Sequence, residues 1–474
     1  MWKFYFYSIT IISIVFSQPF QGYTVFTPMS TSETNPNTVF INNELEIIHT
    51  WTHEQGPASM PYLTPDSSII YPYKVASPTM VAGGVGGGIQ RLDWDGTIRW
   101  EYIFSDSVYQ HHHDLEPLPN GNILVIVWER KTAQEAFAMG RETIENPLNE
   151  MWSSAILELN PLTGVIEWEW HLWDHLVQDF NSELPNYGVI SSHPELFDIN
   201  RGEVGINAGG PQSPNADWMH LNSIDFNAEL DQIALSSRSQ NEIFIIDHST
   251  TTEEAASHSG GNSGMGGDFL YRWGNPQNYG RGDDSDRKLN SQHSINWITE
   301  ECPGAGNLIL FNNFHGDSSS AVIELITPVD ENGQYSMTDG ETFGPFNWTW
   351  MYTGDFTTPM QGGVQRLPNG NTLITQTHTA RILEVDLSGD IQWDFNYETD
   401  ITNYWIARAQ KYPINYFETD ILGDINEDGD VNILDVITAL ISLISSNEDL
   451  QFDVNEDGYS DVMDVLYLKL VLTN

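Results

Sequence analysis

Basic residues and cysteine are the scarcest features of this 474-residue sequence, which has 18 Lys+Arg against 66 Asp+Glu and a formal net charge of −48. Only 18% of the residues are charged, against about 25% in a typical globular protein, so the acidity reflects missing cations. Nucleic-acid binding requires a basic surface, and we therefore expect no nucleic-acid partner. The single cysteine, Cys302, excludes a disulfide within the chain.

Long apolar runs are also scarce beyond the N-terminus. Residues 1–17, MWKFYFYSITIISIVFS, place Lys3 before an apolar segment that ends at Ser17. This segment is too short to span a bilayer as a stable helix and predicts a secretory signal peptide, with an uncleaved anchor as the alternative. We therefore expect a secreted protein with no membrane span after signal cleavage. Without disulfides, a large core or calcium must stabilise it outside the cell.

Amphipathic helical periods are few between residues 23 and 417, where short β-rich runs alternate with Gly, Asn, Pro and Asp turns. Hydrophobic residues make up 40% of the chain and aromatic residues 12%, which is too apolar for a disordered acidic chain. Many short strands separated by close turns predict an all-β fold.

The strands recur as a repeated unit. Leu118–Asn122 and Leu367–Asn371 both read Leu-Pro-Asn-Gly-Asn before a strand, and Cys302–Asn307 is a looser copy. Asn-Gly between strands favours a hairpin, because both residues tolerate positive φ. A second phrase, a strand, an Asp/Gly turn and another strand, ends at Trp100, Trp168 and Trp393. This pattern predicts a β-propeller over residues 18–415 with about six four-stranded blades, in which the tryptophans pack between sheets.

The C-terminal tail carries two copies of another phrase, Asp424–Asp435 and Asp453–Asp464. Each has Asp, Asn and Asp at positions 1, 3 and 5, Gly at 6 and an acid at 12, as in EF-hand calcium loops. Helix-like stretches follow at Val436–Ser445 and Val465–Leu472. The predicted Ca²⁺ ligands are Asp424, Asn426, Asp428, Asp435, Asp453, Asn455, Asp457 and Asp464.

Position 12 is Asp in both loops, and the entering helix of an EF-hand is missing. In this combination the segment 421–474 resembles a type I-like dockerin domain, a small α-helical module with two calcium loops. The resemblance implies two bound Ca²⁺ ions and a cohesin-containing protein as the partner.

Four of the 14 histidines, His113, His220, His293 and His378, stand at similar places relative to the repeated hairpins. Equivalent loops of a propeller converge on its axis, so these residues are predicted to line one funnel. Neutral imidazoles could ligate a metal such as Zn²⁺. Alternatively, one histidine attacks as a nucleophile while the others, as cations or donors, stabilise oxyanion charge. Neither an HExxH motif nor His-plus-Cys spacing supports the metal interpretation.

Several phrases resemble the bacterial arylsulfate sulfotransferase (arylsulfotransferase) family: Gly22–Met29, His112–Asn122, Asp217–Ser223, Ser236–Gln240 and Gln292-His293. The likeness runs over nearly all of residues 22–400. It implies a six-bladed propeller that transfers a sulfuryl group from a phenolic sulfate ester to a phenol, without a nucleotide sulfate donor or another cofactor.

The resemblance also implies roles for individual residues. His378 matches the nucleophile that becomes transiently sulfated, and His220 and His293 match the histidines that hold the sulfuryl oxygens. The family's Arg beyond the second of these is missing from Phe311–Asp317. Possible oxyanion or substrate contacts are His113, Arg238, His315 and Arg381.

An anionic donor must approach against the overall negative charge, so cations must be concentrated in the funnel, with His and a few Arg as candidates. Two other functions remain open from the sequence. The propeller could be catalytically weak or inactive and bind a sulfated or phenolic ligand in a cohesin-based assembly. It could also be a metal-dependent hydrolase or lyase built on the histidines.

Overall fold

The structure, a computed structural model, describes residues 18–30, 35–205, 214–316, 319–397, 404–417 and 433–445, with positions 462 and 465. The strands of the described part are β1 (Gly22–Met29), β2 (Asn37–Ile41), β3 (Ile47–Thr52), β4 (Tyr62–Leu63), β5 (Ile69–Lys74), β6 (Gly87–Leu92), β7 (Ile98–Ile103), β8 (Tyr109–Pro117), β9 (Ile123–Thr132), β10 (Glu150–Asn160), β11 (Val165–His171), β12 (Leu176–Val177), β13 (Phe197–Asp198), β14 (Leu221–Asn227), β15 (Gln232–Ser237), β16 (Glu242–Asp247), β17 (Tyr271–Trp273), β18 (His293–Trp297), β19 (Leu308–His315), β20 (Ser319–Leu325), β21 (Trp350–Tyr352), β22 (Gly363–Arg366), β23 (Thr372–Gln376), β24 (Arg381–Val385), β25 (Ile391–Asn396) and β26 (Trp405–Pro413).

Helices are few among these residues. The α-helices are α1 (Ala133–Ala138), α2 (Thr252–Ala255) and α3 (Ile433–Ser445). Short 3₁₀ helices cover Leu172–Asp174, Ile190–Ser192, Pro276–Tyr279 and Thr377–Thr379.

Six four-stranded sheets form the blades of a propeller. Blades 2 to 6 each use four consecutive antiparallel strands: β4–β7, β8–β11, β14–β17, β18–β21 and β22–β25. Blade 1 combines the late strand β26 with β1, β2 and β3, so pairing between the first and last strands of the propeller closes the ring. The strands β12 and β13 form a small parallel pair of their own. The prediction of an all-β, six-bladed propeller is confirmed.

The repeated Pro-Asn-Gly-Asn phrase forms the predicted hairpins. The Leu118 N–H donates to the Asn122 carbonyl oxygen at 2.9 Å between β8 and β9. The Leu367 N–H does the same to Asn371 at 2.8 Å between β22 and β23. Gly121 has a φ of 85°, in the left-handed region that Gly adopts without steric cost.

A buried polar contact recurs in three blades. The last Asn of the hairpin donates its side-chain N–H to a Glu on the third strand, in the pairs Asn122–Glu158 (2.6 Å), Asn307–Glu324 (2.7 Å) and Asn371–Glu384 (2.6 Å). Each Glu also contacts a basic residue of the next blade, respectively His248, Arg366 and Lys411. We call this arrangement the Glu latch. It ties each hairpin to the neighbouring blade.

The blade cores are apolar, and tryptophan contributes to them as predicted. Trp168 and Trp393 are 5% and 8% exposed and belong to hydrophobic clusters, whereas Trp100 is partly buried against another. Two of the three repeated tryptophans are therefore core residues.

The chain divides into two compact units, residues 1–63 with 68–412 and residues 64–67 with 413–474. In the second unit, α3 begins three residues before the helix predicted at Val436–Ser445 and confirms that helix. The predicted signal peptide and nearly all of both calcium loops lie outside the described residues. Asp435 lies within α3, but its side chain is not described. No helix of the described part is long and apolar enough to cross a membrane.

Candidate active site

One cavity of about 230 Å³ collects polar side chains from several blades. Its polar lining includes Lys74, His113, His220, Arg238, His293 and His378. Blades 2, 3, 4, 5 and 6 all contribute, and blade 1 adds the apolar side chains of Met29 and Trp405. The structure thus brings together the four histidines that the sequence singled out, while their chemical roles stay predictions.

Backbone irregularities recur where the inner strands meet the cavity. The pairing of β8 shifts register between His111 and Leu115, and His113 within this bulge has a φ of 57°. His220, just before β14, has a φ of 51°, and Ser294 in the irregular part of β18 has a φ of 54°. Bulges re-aim side chains and are common next to active sites. Holding non-glycine residues in this region costs about 1–2 kcal/mol each, so the surrounding fold must impose it.

His220 is oriented by a buried carboxylate. Its Nδ1 lies 2.5 Å from Asp217 Oδ2, and its backbone N–H donates to Asp217 Oδ1 at 3.2 Å. Trp128 Nε1 also donates to Asp217 Oδ1 at 3.0 Å, which fixes the carboxylate. Because a carboxylate accepts the Nδ1 proton, Nε2 is the ring nitrogen left available to a ligand.

His293 is oriented by an amide. Asn313 donates from Nδ2 to the carbonyl oxygens of Thr358 and Gln361 at 2.7 and 2.6 Å, which turns its Oδ1 toward His293 Nδ1 at 2.7 Å. His293 Nδ1 therefore carries a proton, and Nε2 accepts the Gln361 N–H at 3.3 Å. Burial lowers the pKa of His293 to about 3, so the ring is neutral at physiological pH.

His113 packs against two other histidines, His112 and His220, at the cavity. Its ring meets the His220 ring edge-on with centroids 4.6 Å apart, and its Nδ1 lies 3.0 Å from His112 Nδ1. Gly84 lies so close that a Cβ there would fall 2.0 Å from the His113 ring. Burial, followed by the nearby His220, holds the pKa of His113 well below its usual range.

His378 differs from the other three in its freedom. It lies in the 3₁₀ helix that follows β23 and is exposed to solvent. Neither ring nitrogen has a hydrogen-bond partner among the described residues. Partial burial lowers its pKa, which favours the neutral imidazole that a nucleophile requires.

Two basic side chains other than histidine, Arg238 and Lys74, line the cavity. Arg238 follows β15, and its guanidinium makes no ion pair with any residue the structure describes. Lys74 ends β5, and burial lowers the pKa of its amine. Since the buried histidines His113 and His293 are neutral, these two side chains carry the positive charge that an anion would meet. The expectation that His and Arg alone would supply cations was incomplete.

A family model described as "Arylsulfotransferase (ASST)" matches residues 73–338, more than half of the chain. The chain belongs to the arylsulfotransferase family. The match spans His113, His220, Arg238 and His293, and His378 lies beyond it. Membership supports sulfuryl transfer at the level of the family, with a phenolic sulfate as donor and a phenol as acceptor.

The solved structures similar to this chain are distant in sequence. A protein of unknown function from Bacteroides caccae is 13% identical, over 82% of this chain and 98% of that chain, with a TM-score of 0.42. Kuenenia stuttgartiensis hydrazine synthase is 12% identical, over 64% and 71% of the respective chains, with a TM-score of 0.35. No curated protein sequence matches the chain.

Two candidate contacts predicted from the sequence, His315 and Arg381, lie outside the cavity lining. His315 ends β19 with its ring edge-on to Trp348, at a centroid separation of 5.5 Å, and does not line the cavity. Arg381 forms a two-fold ion pair with Asp394 on the adjacent strand, at 2.7 and 2.6 Å, and also lies outside the cavity lining. The reason is the same in both cases, because each side chain has a partner on its own blade.

The sequence did not indicate three other residues in or beside the cavity. Lys74 gave no signal because it stands alone at a strand end. Asp217 lies three residues before His220 in the phrase Asp217–Ser223, and this spacing could have suggested the contact between them. Asn313 occupies the stretch where the family's Arg was expected, and it orients His293 instead of carrying charge.

Proposed function

We propose that the propeller transfers a sulfuryl group from a phenolic sulfate ester to a phenol through a sulfohistidine at His378. The observation that carries this proposal is that Arg238 and three oriented histidines converge on one cavity beside the His378 imidazole. Among the described residues, Arg238 has no ion-pair partner and His378 has no hydrogen-bond partner. Arylsulfotransferase family membership supports the reaction class.

In the first half of the reaction, a nitrogen of His378 attacks sulfur as the bond between sulfur and the phenolic oxygen breaks. In the second half, the acceptor phenol oxygen attacks sulfur and the bond between sulfur and nitrogen breaks. The leaving phenolate gains one proton and the acceptor loses one, so transfer is balanced overall. No cofactor enters the proposed chemistry.

Stabilisation of the sulfuryl oxygens is assigned to preorganised donors. Arg238 supplies charge-assisted hydrogen bonds in place of the family's missing Arg. His220, whose Nδ1 proton is held by Asp217, must carry a second proton on Nε2 to donate to a sulfuryl oxygen. His293 shares this role in the proposal. As its Nε2 accepts a backbone N–H, His293 must take a proton or exchange that contact when an anion binds. Met29 and Trp405 supply an apolar wall for a phenyl ring.

The test is turnover of p-nitrophenyl sulfate with phenol as the acceptor. We expect His378→Ala to abolish transfer and to remove a sulfated peptide that mass spectrometry detects in the wild type. His315→Ala, in which the lost ring lies outside the cavity lining, is the matched control and should retain activity. Unchanged turnover by His378→Ala would exclude His378 as the nucleophile.

A binding protein is the second candidate, favoured by the absence of the expected Arg from Phe311–Asp317. In that case a sulfated or phenolic ligand would bind in the cavity without reacting, and no sulfated peptide would form. Calorimetry with p-nitrophenyl sulfate, together with the transfer assay, separates the two functions.

We also propose that the signal peptide directs secretion and that residues 421–474 form a calcium-binding dockerin that tethers the enzyme to a cohesin-containing protein. The duplicated twelve-residue loop pattern supports this proposal. N-terminal sequencing of exported protein tests the signal. Calcium titration of the full chain should give two sites that Asp424→Ala and Asp453→Ala remove separately.

A further inference from the structure

A second group of ligand-type side chains lies at the join of blades 3 and 4, and none of its members lines the cavity. It consists of His175, His258 and Asp268, whose candidate ligand atoms all lie within 4.8 Å of one another. His175 follows the last strand of blade 3, while His258 and Asp268 flank the loop that leads to β17 of blade 4.

The hydrogen bonds of His175 define its tautomer. Its Nε2 lies 2.8 Å from the carbonyl oxygen of Ala255, which can only accept, so Nε2 carries a proton. Its Nδ1 lies 2.7 Å from Asp268 Oδ1. In a neutral ring, this contact would set the Nδ1 lone pair against a carboxylate oxygen. A positive charge is therefore required between the two atoms.

The same carboxylate oxygen faces a second imidazole. His258 Nδ1 lies 2.8 Å from Asp268 Oδ1, so two ring nitrogens converge on one oxygen. A divalent cation bound by both nitrogens and the carboxylate would supply a positive charge to both contacts and join the two imidazoles through one ion. Tetrahedral Zn²⁺ with bonds of about 2.0–2.2 Å separates its ligand atoms by about 3.3 Å. The separations of 2.7 and 2.8 Å would therefore each widen by about 0.5–0.6 Å when the ion binds.

The surroundings also suit a metal-binding histidine. A ligating His commonly donates its other N–H to a carbonyl, as His175 does to Ala255. The Trp170 ring lies parallel to His175 with an interplanar angle of 4°. Gly267 leaves the necessary room, because a Cβ there would lie 2.6 Å from His175 Nε2 and 2.0 Å from the Ala255 oxygen.

The loop that carries His258 is held largely by hydrogen bonds, among them the Asn262 N–H to Ser249 Oγ and the Ser263 N–H to Asp247 Oδ2, both at 2.7 Å. Residues 257–267 read Ser-His-Ser-Gly-Gly-Asn-Ser-Gly-Met-Gly-Gly, with Met265 as the one apolar side chain. Glycine-rich segments lose more conformational freedom on folding than other sequences. Coordination by His258 would fix this loop to the buried His175 of the preceding blade.

We propose that His175 Nδ1, His258 Nδ1 and the Asp268 carboxylate bind one divalent cation of the Zn²⁺ class, with water as the fourth ligand. Two histidines and one carboxylate favour Zn²⁺ over Ca²⁺, which prefers six to eight oxygens. His258 is 61% exposed, so the ion can be exchanged from solvent and a water can reach it. The bound ion would connect blade 4 to blade 3 through its ligands.

The experiment uses the full-length chain, freed of metals by chelation and then saturated with Ca²⁺ to occupy the tail loops. Co²⁺ is titrated as a Zn²⁺ substitute with visible absorption as the readout. We expect a tetrahedral Co²⁺ band in the wild type, displaced by Zn²⁺. His258→Ala should weaken binding at least tenfold. His193→Ala removes an exposed histidine that pairs with one carboxylate, Glu195, and should bind as the wild type does.

Limited proteolysis provides a second readout. Zn²⁺ should slow cleavage within residues 256–267 of the wild type and leave the cleavage rate of His258→Ala unchanged. Asp268→Asn is the alternative variant if His258→Ala fails to fold. A wild type without a tetrahedral band, or His258→Ala that binds Co²⁺ as tightly as the wild type, overturns the proposal. NMR showing a doubly protonated His175 in metal-saturated protein also overturns it, because an imidazolium cannot ligate.

Discussion

Asp217 holds His220 by two contacts, accepting from the ring Nδ1 at 2.5 Å and from the backbone N–H at 3.2 Å. Its carboxylate is buried behind the cavity, so it acts on a ligand through His220. In Asp217→Asn the tautomer and ring orientation of His220 lose this constraint, and kcat/KM for sulfuryl transfer should fall about 10–100-fold. Asp231→Asn, which alters a carboxylate–His248 pair elsewhere, should have the same kcat/KM as the wild type. Equal activities of both variants would contradict the positioning role.

Arg238 lines the cavity, and its guanidinium has no ion-pair partner in the part of the chain that the structure describes. Hydrogen bonds to a charged group contribute about 1.5–3 kcal/mol, so Arg238→Ala should lower kcat/KM for p-nitrophenyl sulfate by about 10–150-fold. Arg238→Lys should be intermediate because it keeps the charge without the planar fork. Arg381→Ala, whose guanidinium pairs with Asp394 outside the cavity lining, is the control and should match the wild type. Wild-type kinetics in Arg238→Ala would show that Arg238 does not stabilise the sulfuryl oxygens.

The pH dependence of transfer should reflect His378. Partial burial lowers its pKa from 6.5, and only the neutral imidazole attacks. Activity should therefore persist as the pH falls to 6.5 and decline only below it. The measurement is the pH profile of kcat/KM, which reports ionisations of the free enzyme. An acidic limb centred above pH 6.5 would be inconsistent with His378 as the free-enzyme nucleophile.

The Glu latch that closes the ring should contribute strongly to stability. The Glu384 and Lys411 side chains are both 0% exposed and lie 3.0 Å apart. Glu384→Gln leaves the Lys411 ammonium buried without its counter-charge and should cost about 3–5 kcal/mol of unfolding free energy. Asp394→Asn breaks the more exposed pair with Arg381 and should cost less than about 1 kcal/mol. Urea unfolding followed by tryptophan fluorescence compares the two variants. Equal losses of unfolding free energy would contradict the strong contribution of the Glu384–Lys411 pair to stability.

Another Glu latch predicts a pH effect on stability. Burial alone would lower the pKa of His248, but its hydrogen bonds to Asp231 and Glu158 raise that pKa to about 9. Because the folded pKa exceeds the unfolded value of 6.5, the contribution is complete below pH 6.5 and is lost as the pH rises through about 9. The stability difference between wild type and His248→Gln should therefore be larger at pH 6 than at pH 10. A difference that grows with pH would contradict this assignment.

Features with a local cause were predictable. The Asn-Gly hairpins depend on residues that tolerate positive φ, and the alternation of short strands and turns follows from the same sequence. Repetition then carried the prediction further, since a unit that recurs about six times closes into a propeller. The similar positions of the histidines within that repeat were enough to predict that His113, His220, His293 and His378 line one cavity.

Features that depend on side-chain pairing were not predictable. His315 and Arg381 were as plausible as Arg238 in the sequence, yet their partners Trp348 and Asp394 hold them on their own blades. Lys74 became a cavity residue only because the ring of blades brings the end of β5 to the cavity.

The sequence by itself determined the propeller, its hairpins and the histidines that meet, because turn chemistry and repetition act within a blade. Only the tertiary structure decided which cations face the cavity, that Asp217 and Asn313 orient the histidines, and that Glu384 joins hairpin to next blade. Those choices are contacts between residues distant along the chain, and their energies depend on burial and geometry that no local pattern specifies.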